Sequence, residues 1–340
     1  MKQVRIHGPN LFQLDEVPLP TPGPDDVLVR VAACGICGSD ISYVALGGTS
    51  GPVGYPMPLG HELSGDVAVI GSNVKGLSLG TRVVVNPMAA NNLIGNGGLE
   101  GGFAPFVLVR NAMADQCLYP IPDTLPFEIA ALAEPLAVAF HAVNRAEVSP
   151  QTRVTVFGAG PIGLGIVVGL RRRGVTDIVV VDLSPRRLEL ARRLGASVTV
   201  NPAVADVREA LSRCHGVSEL FGWPVVNTDV FIDASGAPNV IQDVVAMCRY
   251  GARLVVVAVH KHPIPVDFRL VLAKELVITG AIGYPVEFPE VVEMLGRGET
   301  DVSPLISHRF AFDDFEQAFA RARDPSTSLK VVVEFPVSPS

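Results

Sequence analysis

Short apolar runs separated by glycine and proline dominate the first part of the chain. They are rich in valine and phenylalanine, which favours strands; the clearest are VLVRVAA (27–33), SGDVAVI (64–70), TRVVVN (81–86) and FAPFVLV (103–109). Residues 1 to about 149 are therefore predicted to form a mostly β segment with many loops. Near its end the pattern becomes helical, in LPFEIAALAEPLAVAFHAVNRA, where Pro135 suits a first helical turn.

From Arg153 onward, buried strands are predicted to alternate with helices. RVTVFGAGPIGLGIVVGLRRRG (153–174) has the pattern of a strand, a glycine turn and a helix, and DIVVVDLSPRRLELARRLGA (177–196) repeats that order. Two further strands are predicted in VFIDASG (230–236) and ARLVVVAV (252–259). The alternation indicates an α/β fold, with a parallel sheet that carries helices on both faces.

The remaining segments add less to this picture. PEVVEMLGRG (289–298) predicts a helical stretch and LKVVVEF (329–335) predicts a last strand, with HRFAFDDFEQAFARA (308–322) between them. The weak periodicity of residues 205–227 predicts no element. At 340 residues the chain is too long for one ordinary core, so two domains are expected.

Composition and charge exclude several functional classes. The net charge is −7 and no basic patch stands out, so nucleic-acid binding has no electrostatic basis. The N-terminus lacks an apolar signal region. The longest uncharged apolar run, 154–170, is interrupted by glycines and is shorter than the roughly 20 residues of a membrane span. The protein is expected to be soluble and cytoplasmic, with no membrane partner. Its five scattered cysteines indicate reduced thiols.

Two cysteines three residues apart, in CGICGSD, could be half of a four-thiolate zinc site, a redox pair, or one metal ligand beside an unrelated neighbour. A four-thiolate site needs a second pair, but the next cysteine is the isolated Cys117. More telling is the pair His61 and Glu62, which lies downstream of Cys37 in a loop that enters a β-rich segment. Thiolate, imidazole and carboxylate are all zinc ligands, so these residues form a candidate metal set.

The sequence Gly158-Ala-Gly160-Pro161-Ile162-Gly163 follows one predicted strand and opens a helix. In that context the glycines permit a tight turn, close approach of a pyrophosphate and close helix–strand packing. Asp182 ends the next strand, where an acidic residue hydrogen-bonds the adenosine ribose and disfavours a 2′-phosphate. NAD is therefore favoured, although Arg186 and Arg187 leave NADP possible.

Taken together, these features resemble the zinc-dependent medium-chain dehydrogenase/reductase family, closest to its sorbitol (polyol), L-idonate and L-threonine dehydrogenase branch. The resemblance covers nearly the whole chain, through GICGSD, PLGHELSG, GGFAPFVLV, AEPLAVAFHA, GAGPIG, VDLSPRRLELA, DASG and HRF. It implies a groES-like, mostly β catalytic domain from residues 1–149 and 285–340. A doubly wound Rossmann domain, which binds the dinucleotide, would occupy residues 150–284.

The resemblance also implies roles for particular residues. Cys37, His61 and Glu62 match zinc ligands, and Glu134 matches a position at the zinc or its bound water. Cys34 matches no metal ligand, and Asp40 matches a carboxylate that orients the ligand histidine. Ser39 matches a hydroxyl that contacts the substrate alcohol, and Tyr43 and Tyr284 match positions in the substrate pocket. The matching cofactor contacts, besides the glycine turn and Asp182, are Arg187, Ser235, Val257, Ala258, Val259, Ala281, Ile282 and Gly283.

Three departures from the family pattern change the expectations. Only MAANNLIGNGGLE stands where the family has a lobe with four cysteines, so one catalytic zinc and no structural zinc are expected. Ser42 replaces a histidine of the outer proton relay, which must then run differently. Gly283 replaces an arginine that precedes the pocket tyrosine in polyol enzymes, which makes a less hydroxylated or bulkier substrate plausible.

The resemblance implies hydride transfer between a secondary alcohol or polyol, or the corresponding ketone, and NAD(H). Two alternatives stay open: a zinc-free NADPH-dependent reductase of the quinone or enoyl type, and a nucleotide-binding protein without catalysis. The expected partners are a small-molecule alcohol or ketone and further copies of the chain, as a dimer or tetramer.

Overall fold

The computed structural model describes residues 1–336, which fold into two compact units. The first unit combines Met1–Glu134 with the chain from Phe288 onward, and the second comprises Pro135–Glu287. Helix packing places residues 135–149 with the second unit, because Ala139 and Phe140 lie directly against Gly165 and Gly169 of the following helix. The sequence-based boundaries at residues 150 and 285 stay a prediction.

The secondary-structure elements are numbered here in chain order. The strands are β1 Lys2–Gly8, β2 Leu11–Glu16, β3 Val27–Ile36, β4 Met57–Pro58, β5 Glu62–Ile70, β6 Arg82–Val85, β7 Phe106–Val109, β8 Leu118–Pro120, β9 Val154–Phe157, β10 Ile178–Val181, β11 Val198–Val200, β12 Val217–Leu220, β13 Trp223–Val226, β14 Val230–Asp233, β15 Arg253–Val256, β16 Val277–Gly280, β17 Ile306–Ala311 and β18 Lys330–Glu334. The α-helices are α1 Gly38–Leu46, α2 Phe127–Ala130, α3 Ala133–Ala146, α4 Pro161–Arg172, α5 Pro185–Leu194, α6 Val207–His215, α7 Pro238–Met247, α8 Phe268–Lys274, α9 Phe288–Arg297 and α10 Phe315–Ala322.

A seven-stranded sheet organises the first unit. Its order is β17-β18-β3-β5-β6-β8, and β7 also pairs with β3. Every pair is antiparallel except β17 with β18. Valines of the central strands, with Leu63, Phe103 and Phe315, form one buried core. The predicted mostly β character of this segment is confirmed, and the long strand β3 brings both chain ends into the same sheet.

The second unit is built on a six-stranded parallel sheet with the order β11-β10-β9-β14-β15-β16. Helices α4 to α8 connect or flank its strands, so the predicted doubly wound α/β fold is confirmed. The strand order reverses between β9 and β14, and the carboxyl ends at such a switch point are where ligands bind in this architecture. Residues 205–227, for which the sequence predicts nothing, form α6 and an antiparallel hairpin of β12 and β13.

One segment, Phe127–Ala146, has the length and apolar composition of a membrane span, with a mean hydropathy of 1.2. The chain turns at Ala131 and Leu132, so the segment consists of two helices, α2 and α3. About 67% of its apolar window is buried inside the protein. Its hydrophobicity is therefore accounted for by packing in the core.

Candidate active site

A thiol, an imidazole and a carboxylate converge at one edge of the first unit. Strand β3 ends at Ile36, just before Cys37, and β5 begins at Glu62, just after His61. Because β3 and β5 are antiparallel and pair Gly35 with Glu62, the end of one strand lies beside the start of the other. One candidate ligand atom from each of Cys37, His61 and Glu62 lies within 4.8 Å of those of the other two.

Asp40 holds the two halves of this cluster together. Its fully buried carboxylate accepts hydrogen bonds from the backbone N–H of Cys37 (2.8 Å) and of Gly60 (3.3 Å). It also lies 3.6 Å from Nδ1 of His61. Burial lowers the pKa of His61, but Asp40 and the Cys37 thiol raise it, and the resulting pKa is well above the usual value. The carboxylate is thus placed to orient the imidazole, as the resemblance implies.

Glu62 is held from the other side by Lys330, a residue that the sequence reasoning missed. Both carboxylate oxygens lie 2.6 Å from the Lys330 ammonium, which also donates to the carbonyl of Ile36 at 3.1 Å. Burial lowers the pKa of Lys330, but Glu62 raises it, and so do Cys37 and Glu134; the net shift is upward. A charged residue between two apolar runs, as in SLKVVVEF, is a signal that could have identified it, because buried lysines are almost always paired.

The cluster suits a zinc ion in its donor chemistry. Sulfur, nitrogen and oxygen ligands are those that zinc takes in catalytic sites with three protein ligands. Within residues 1–336, the buried Nδ1 of His61 makes no hydrogen bond of 3.5 Å or less, and Asp40 at 3.6 Å is its ion-pair contact. Cys34, in contrast, is fully buried in the core and lies outside the cluster. The cysteine spacing therefore contributes one candidate ligand, not two.

Other predicted residues of the first unit surround the cluster. The Ser39 hydroxyl lies 3.4 Å from Nε2 of His61. Tyr43, one helical turn after Ser39 on α1, donates from its phenol to Oδ1 of Asn96 at 3.2 Å. Glu134 is buried at the start of α3 and lies outside the group of Cys37, His61 and Glu62, but it is close enough to raise the pKa of Lys330.

The glycine turn in the second unit has the geometry that its sequence predicts. Gly158 adopts a φ of +95° directly after β9, and α4 begins with Gly160 as its N-cap and Pro161 in its first turn. A Cβ on Gly163 would lie 1.9 Å from the carbonyl oxygen of Gly158, whereas a Cβ on Gly160 would meet no atom within 4 Å. The helix therefore packs tightly on the turn while the Gly160 side stays open, as close approach of an anion requires.

Asp182 connects this turn to the neighbouring strand end. Its carboxylate accepts from the backbone N–H of Ala159 and of Ser184, both at 2.7 Å. Ser184 in turn caps α5 by accepting from the N–H of Arg187. These contacts place Asp182 and Arg187 next to the glycine turn, at the carboxyl end of β10.

The remaining predicted cofactor residues follow strands β14, β15 and β16. Buried Asp233 ties two of these loops together, since it accepts from Ser235 N–H (3.0 Å) and its Oγ (2.7 Å), and lies 2.8 Å from Nε2 of His260. Neither Asp233 nor His260 was predicted as part of a site. Side chains on these loops range from exposed to buried: Val259 and Ile282 are exposed and Tyr284 is buried. Backbone bonds to the Asp233 carbonyl hold Val257 and Ala258.

Both units match known protein families. A family described as an alcohol dehydrogenase GroES-like domain matches residues 23–123, and one described as a zinc-binding dehydrogenase matches residues 161–297. A sorbitol dehydrogenase of Arabidopsis thaliana is 33% identical, with 96% of this chain and 93% of that protein covered. An (R,R)-butanediol dehydrogenase of Bacillus subtilis is 31% identical, with 98% and 99% covered.

Solved structures agree with these relationships. The structure of 2R,3R-butanediol dehydrogenase from Bacillus subtilis superimposes with a TM-score of 0.86 at 28% identity, over 99% of each chain. An alcohol dehydrogenase from Escherichia coli complexed with NADH has a TM-score of 0.85 at 27% identity, over 98% of this chain and 99% of that one. A zinc-binding dehydrogenase from Sinorhizobium meliloti bound to NADP has a TM-score of 0.85 at 28% sequence identity, over 98% of each chain.

Proposed function

Since the chain belongs to the zinc-dependent medium-chain dehydrogenase/reductase family and is an alcohol or polyol dehydrogenase that uses NAD(H), we propose that it oxidises small vicinal diols at a single zinc. The observation that carries this proposal is the convergence of Cys37, His61 and Glu62 within 4.8 Å. Zinc-free reductases have no need of such a set. The same cluster argues against a binding protein without catalysis, because both Asp40 and Lys330 keep its members in place.

In this proposal Cys37, His61 and Glu62 hold the metal, and Glu134 lies at the zinc or its water. A zinc bound there would act as a Lewis acid that lowers the pKa of the substrate hydroxyl. Ser39, beside His61, would accept the proton of that hydroxyl and pass its own hydrogen on to solvent. A bound nicotinamide would supply the hydride acceptor for the carbon that carries the hydroxyl. The products are then a ketone, NADH and one proton. Tyr43 contributes to the substrate pocket beside the metal cluster, while the pocket role of Tyr284 stays an expectation from the resemblance.

We infer one zinc per chain, because the segment that replaces the cysteine lobe is held by other means. Asn86 accepts from the backbone N–H groups of Met88 and Ala89, and Asn92 donates to the carbonyl of Leu108. Hydrogen bonds from asparagine side chains thus hold this segment, which has no cysteine between residues 86 and 103. Metal analysis should give about one zinc per chain.

For the nucleotide we infer NAD in preference to NADP. The Gly158–Gly163 turn would cradle the pyrophosphate, and the Asp182 carboxylate would accept from the ribose diol and repel a 2′-phosphate. The further contacts would come from Arg187, Ser235, the strand end at 257–259 and the segment 281–283. An Asp182→Ala variant should have a higher KM for NAD and less discrimination against NADP.

Two observations favour a small vicinal diol as the substrate. The named substrates of the relatives, sorbitol and (R,R)-butanediol, both carry neighbouring hydroxyl groups. Gly283 has a φ of +66°, a conformation that side chains other than glycine rarely adopt, so the arginine of the polyol pattern would be strained here. Without that arginine the site lacks the N–H donors of a guanidinium group, which a long polyol could use.

We further infer that the chain forms a homo-oligomer through β16, the edge strand of the parallel sheet. Val277 and Ile278 on this strand are 43% and 40% exposed, in a sheet type that is normally covered on both faces. No lysine or proline protects this edge against pairing. The cytoplasmic location stays a prediction.

The decisive experiment measures NAD reduction by the purified, zinc-loaded protein with 2,3-butanediol, sorbitol, L-idonate and 2-butanol. The highest kcat/KM is expected with the butanediol, and a chelator should abolish turnover. Equal turnover after metal removal would contradict the zinc proposal. Preference for sorbitol would contradict the small-diol proposal while leaving the zinc chemistry intact.

A further inference from the structure

The segment Asn86–Phe103, which replaces the cysteine lobe, is anchored on the backbone next to the metal cluster. Gly95 has a φ of +65°, and a Cβ there would lie 2.2 Å from the carbonyl oxygen of Gly60. Gly102 donates from its N–H to the same carbonyl at 2.8 Å. Gly60 directly precedes His61, so the position of this segment is fixed relative to the candidate zinc ligands.

Within this segment, Asn96 is held in one orientation by its own loop. Its side-chain Nδ2 donates to the carbonyl of Ile94 at 3.2 Å, and its backbone N–H donates to the carbonyl of Leu93 at 2.9 Å. Because Nδ2 is committed to a carbonyl, Oδ1 must be the acceptor on the other side of the amide. That oxygen accepts the hydrogen bond from the Tyr43 phenol at 3.2 Å.

Tyr43 lies on the same face of α1 as Ser39, four residues earlier. A phenol is protonated at neutral pH, and this one also hydrogen-bonds with Ser39. The phenol has a single hydrogen to donate, and Asn96 receives it. The phenol oxygen therefore acts only as an acceptor, for the Ser39 hydroxyl and, through its second lone pair, for one further donor next to the metal cluster.

We propose that Asn96 is a positioning residue for substrate selectivity: by taking the hydrogen of Tyr43, it fixes the phenol oxygen as the acceptor for a second substrate hydroxyl, on the carbon next to the one that is oxidised. This inference rests on the proposed dehydrogenase activity and deepens it. A diol donates its second hydroxyl to Tyr43, and a mono-alcohol leaves that acceptor unused. Sites that hydrogen-bond a substrate hydroxyl discriminate against analogues that lack it.

The test compares 2,3-butanediol with 2-butanol as substrates of the zinc-loaded full chain. Asn96→Ala should lower kcat/KM for the diol by about tenfold, the order of one hydrogen bond, and change that for 2-butanol by less than about twofold. Asn96→Asp keeps an acceptor for the phenol and should retain the diol preference to within about threefold. Asn91→Ala, at an exposed position of the same loop, is the matched control and should leave both substrates unaffected.

A double-mutant cycle separates positioning from general loop damage. Tyr43→Phe should lose the diol preference to the same extent, and adding Asn96→Ala to it should cause no further loss. Zinc content and the Kd for NADH should be unchanged in every variant. An equal loss on both alcohols, or additive losses in the double variant, would overturn the role of Asn96. If the unmodified protein oxidises neither alcohol, the proposed function itself fails, and this inference fails with it.

Discussion

At the residue scale, the two cysteines of CGICGSD differ in their surroundings although they are three positions apart. Cys37 belongs to the cluster with His61 and Glu62, while Cys34 is enclosed in the core. Burial, together with the charges of Asp40 and Glu62, raises the pKa of the Cys34 thiol well above its usual value. Cys34 is thus a packing residue, and of these two cysteines it is Cys37 that belongs to the candidate metal cluster.

We predict that Cys37→Ala removes zinc and dehydrogenase activity, since it deletes one of three ligands. Cys34→Ala should keep about one zinc per chain and lose about 1 kcal/mol in the free energy of unfolding, as for an ordinary core truncation. Elemental analysis and thermal melts on both variants measure these outcomes. Retention of zinc by the Cys37 variant, with loss from the Cys34 variant, would reverse the assignment.

The candidate ligands and Asp40 could be predicted from the sequence because each lies in a short motif, but the more distant supports could not. Lys330 meets Glu62 across 268 positions of the chain. That contact depends on β18 pairing with β3, which places Val331 opposite Ile36. Asn96 likewise reaches Tyr43 across 53 positions, through a loop whose shape depends on backbone packing. Local patterns carry no information about such register.

At the element scale, the β9–α4 junction contains two glycines, Gly160 and Gly163, that are needed for different reasons. Gly163 is required by packing, because an added Cβ would lie 1.9 Å from the Gly158 carbonyl oxygen. Gly160 is surrounded by open space on its Cβ side and has an ordinary negative φ of −70°. Only the bound pyrophosphate would meet a side chain there.

Gly160→Ala should therefore weaken NADH binding by about tenfold or more, equivalent to about 1.4 kcal/mol, with little change in melting temperature. Gly163→Ala should instead destabilise the second unit by about 1–3 kcal/mol, the usual penalty of overpacking. Fluorescence titration with NADH and thermal melts on the two variants distinguish these effects. A Gly160 variant with a lowered melting temperature and normal NADH binding would contradict the proposed role of Gly160 in dinucleotide binding.

Periodicity predicts most elements of the second unit because buried parallel strands are continuous apolar runs. It fails for the hairpin of β12 and β13, where Val217 and Trp223 are exposed and only the end of β13, at Val225 and Val226, is buried. The order of the strands in the sheet also lies beyond periodicity, since it is set by connections rather than by composition. The family resemblance, not the pattern, supplies that order.

At the scale of the whole molecule, acid stability should depend on Asp229, which joins strand β9 to β14. Its carboxylate accepts from Arg153 Nε (2.9 Å) and backbone N–H (2.9 Å) and lies 2.6 Å from Arg249. Burial raises the pKa of Asp229, but these partners lower it, and the net pKa is below the usual value. Asp229 therefore stabilises the fold above its unfolded pKa of about 3.9, and this contribution is lost as the pH falls below that value.

Accordingly, Asp229→Asn should lower stability at neutral pH, and its difference from the unmodified protein should shrink below about pH 4. Urea unfolding from neutral pH to below about pH 4 measures this difference in the free energy of unfolding. Any loss of zinc at low pH affects both proteins equally and therefore cancels in the difference. Glu219→Gln, on the exposed strand β12, is the control and should follow the unmodified protein at every pH. A constant deficit for Asp229→Asn down to about pH 3 would contradict the direction of the pKa shift.

In the proposed homo-oligomer, the edge strand β16 forms the contact between copies of the chain. Within residues 1–336 it pairs with no strand other than β15, so its outer side is open to a second copy apart from the Gly280 carbonyl, which accepts from Nε of Arg145. Antiparallel pairing of two β16 strands about a twofold axis uses the same surface on both copies and closes the assembly. Light scattering should then show a dimer, or a tetramer of such pairs.

Ile278→Lys places a charge on each side of the axis and should shift the mass towards the monomer, while Val204→Lys, elsewhere on the surface at 83% exposure, should not. Since both substitutions add one charge at an exposed valine or isoleucine, only a role for this edge explains a difference between them; a monomeric unmodified protein at micromolar concentration would exclude it.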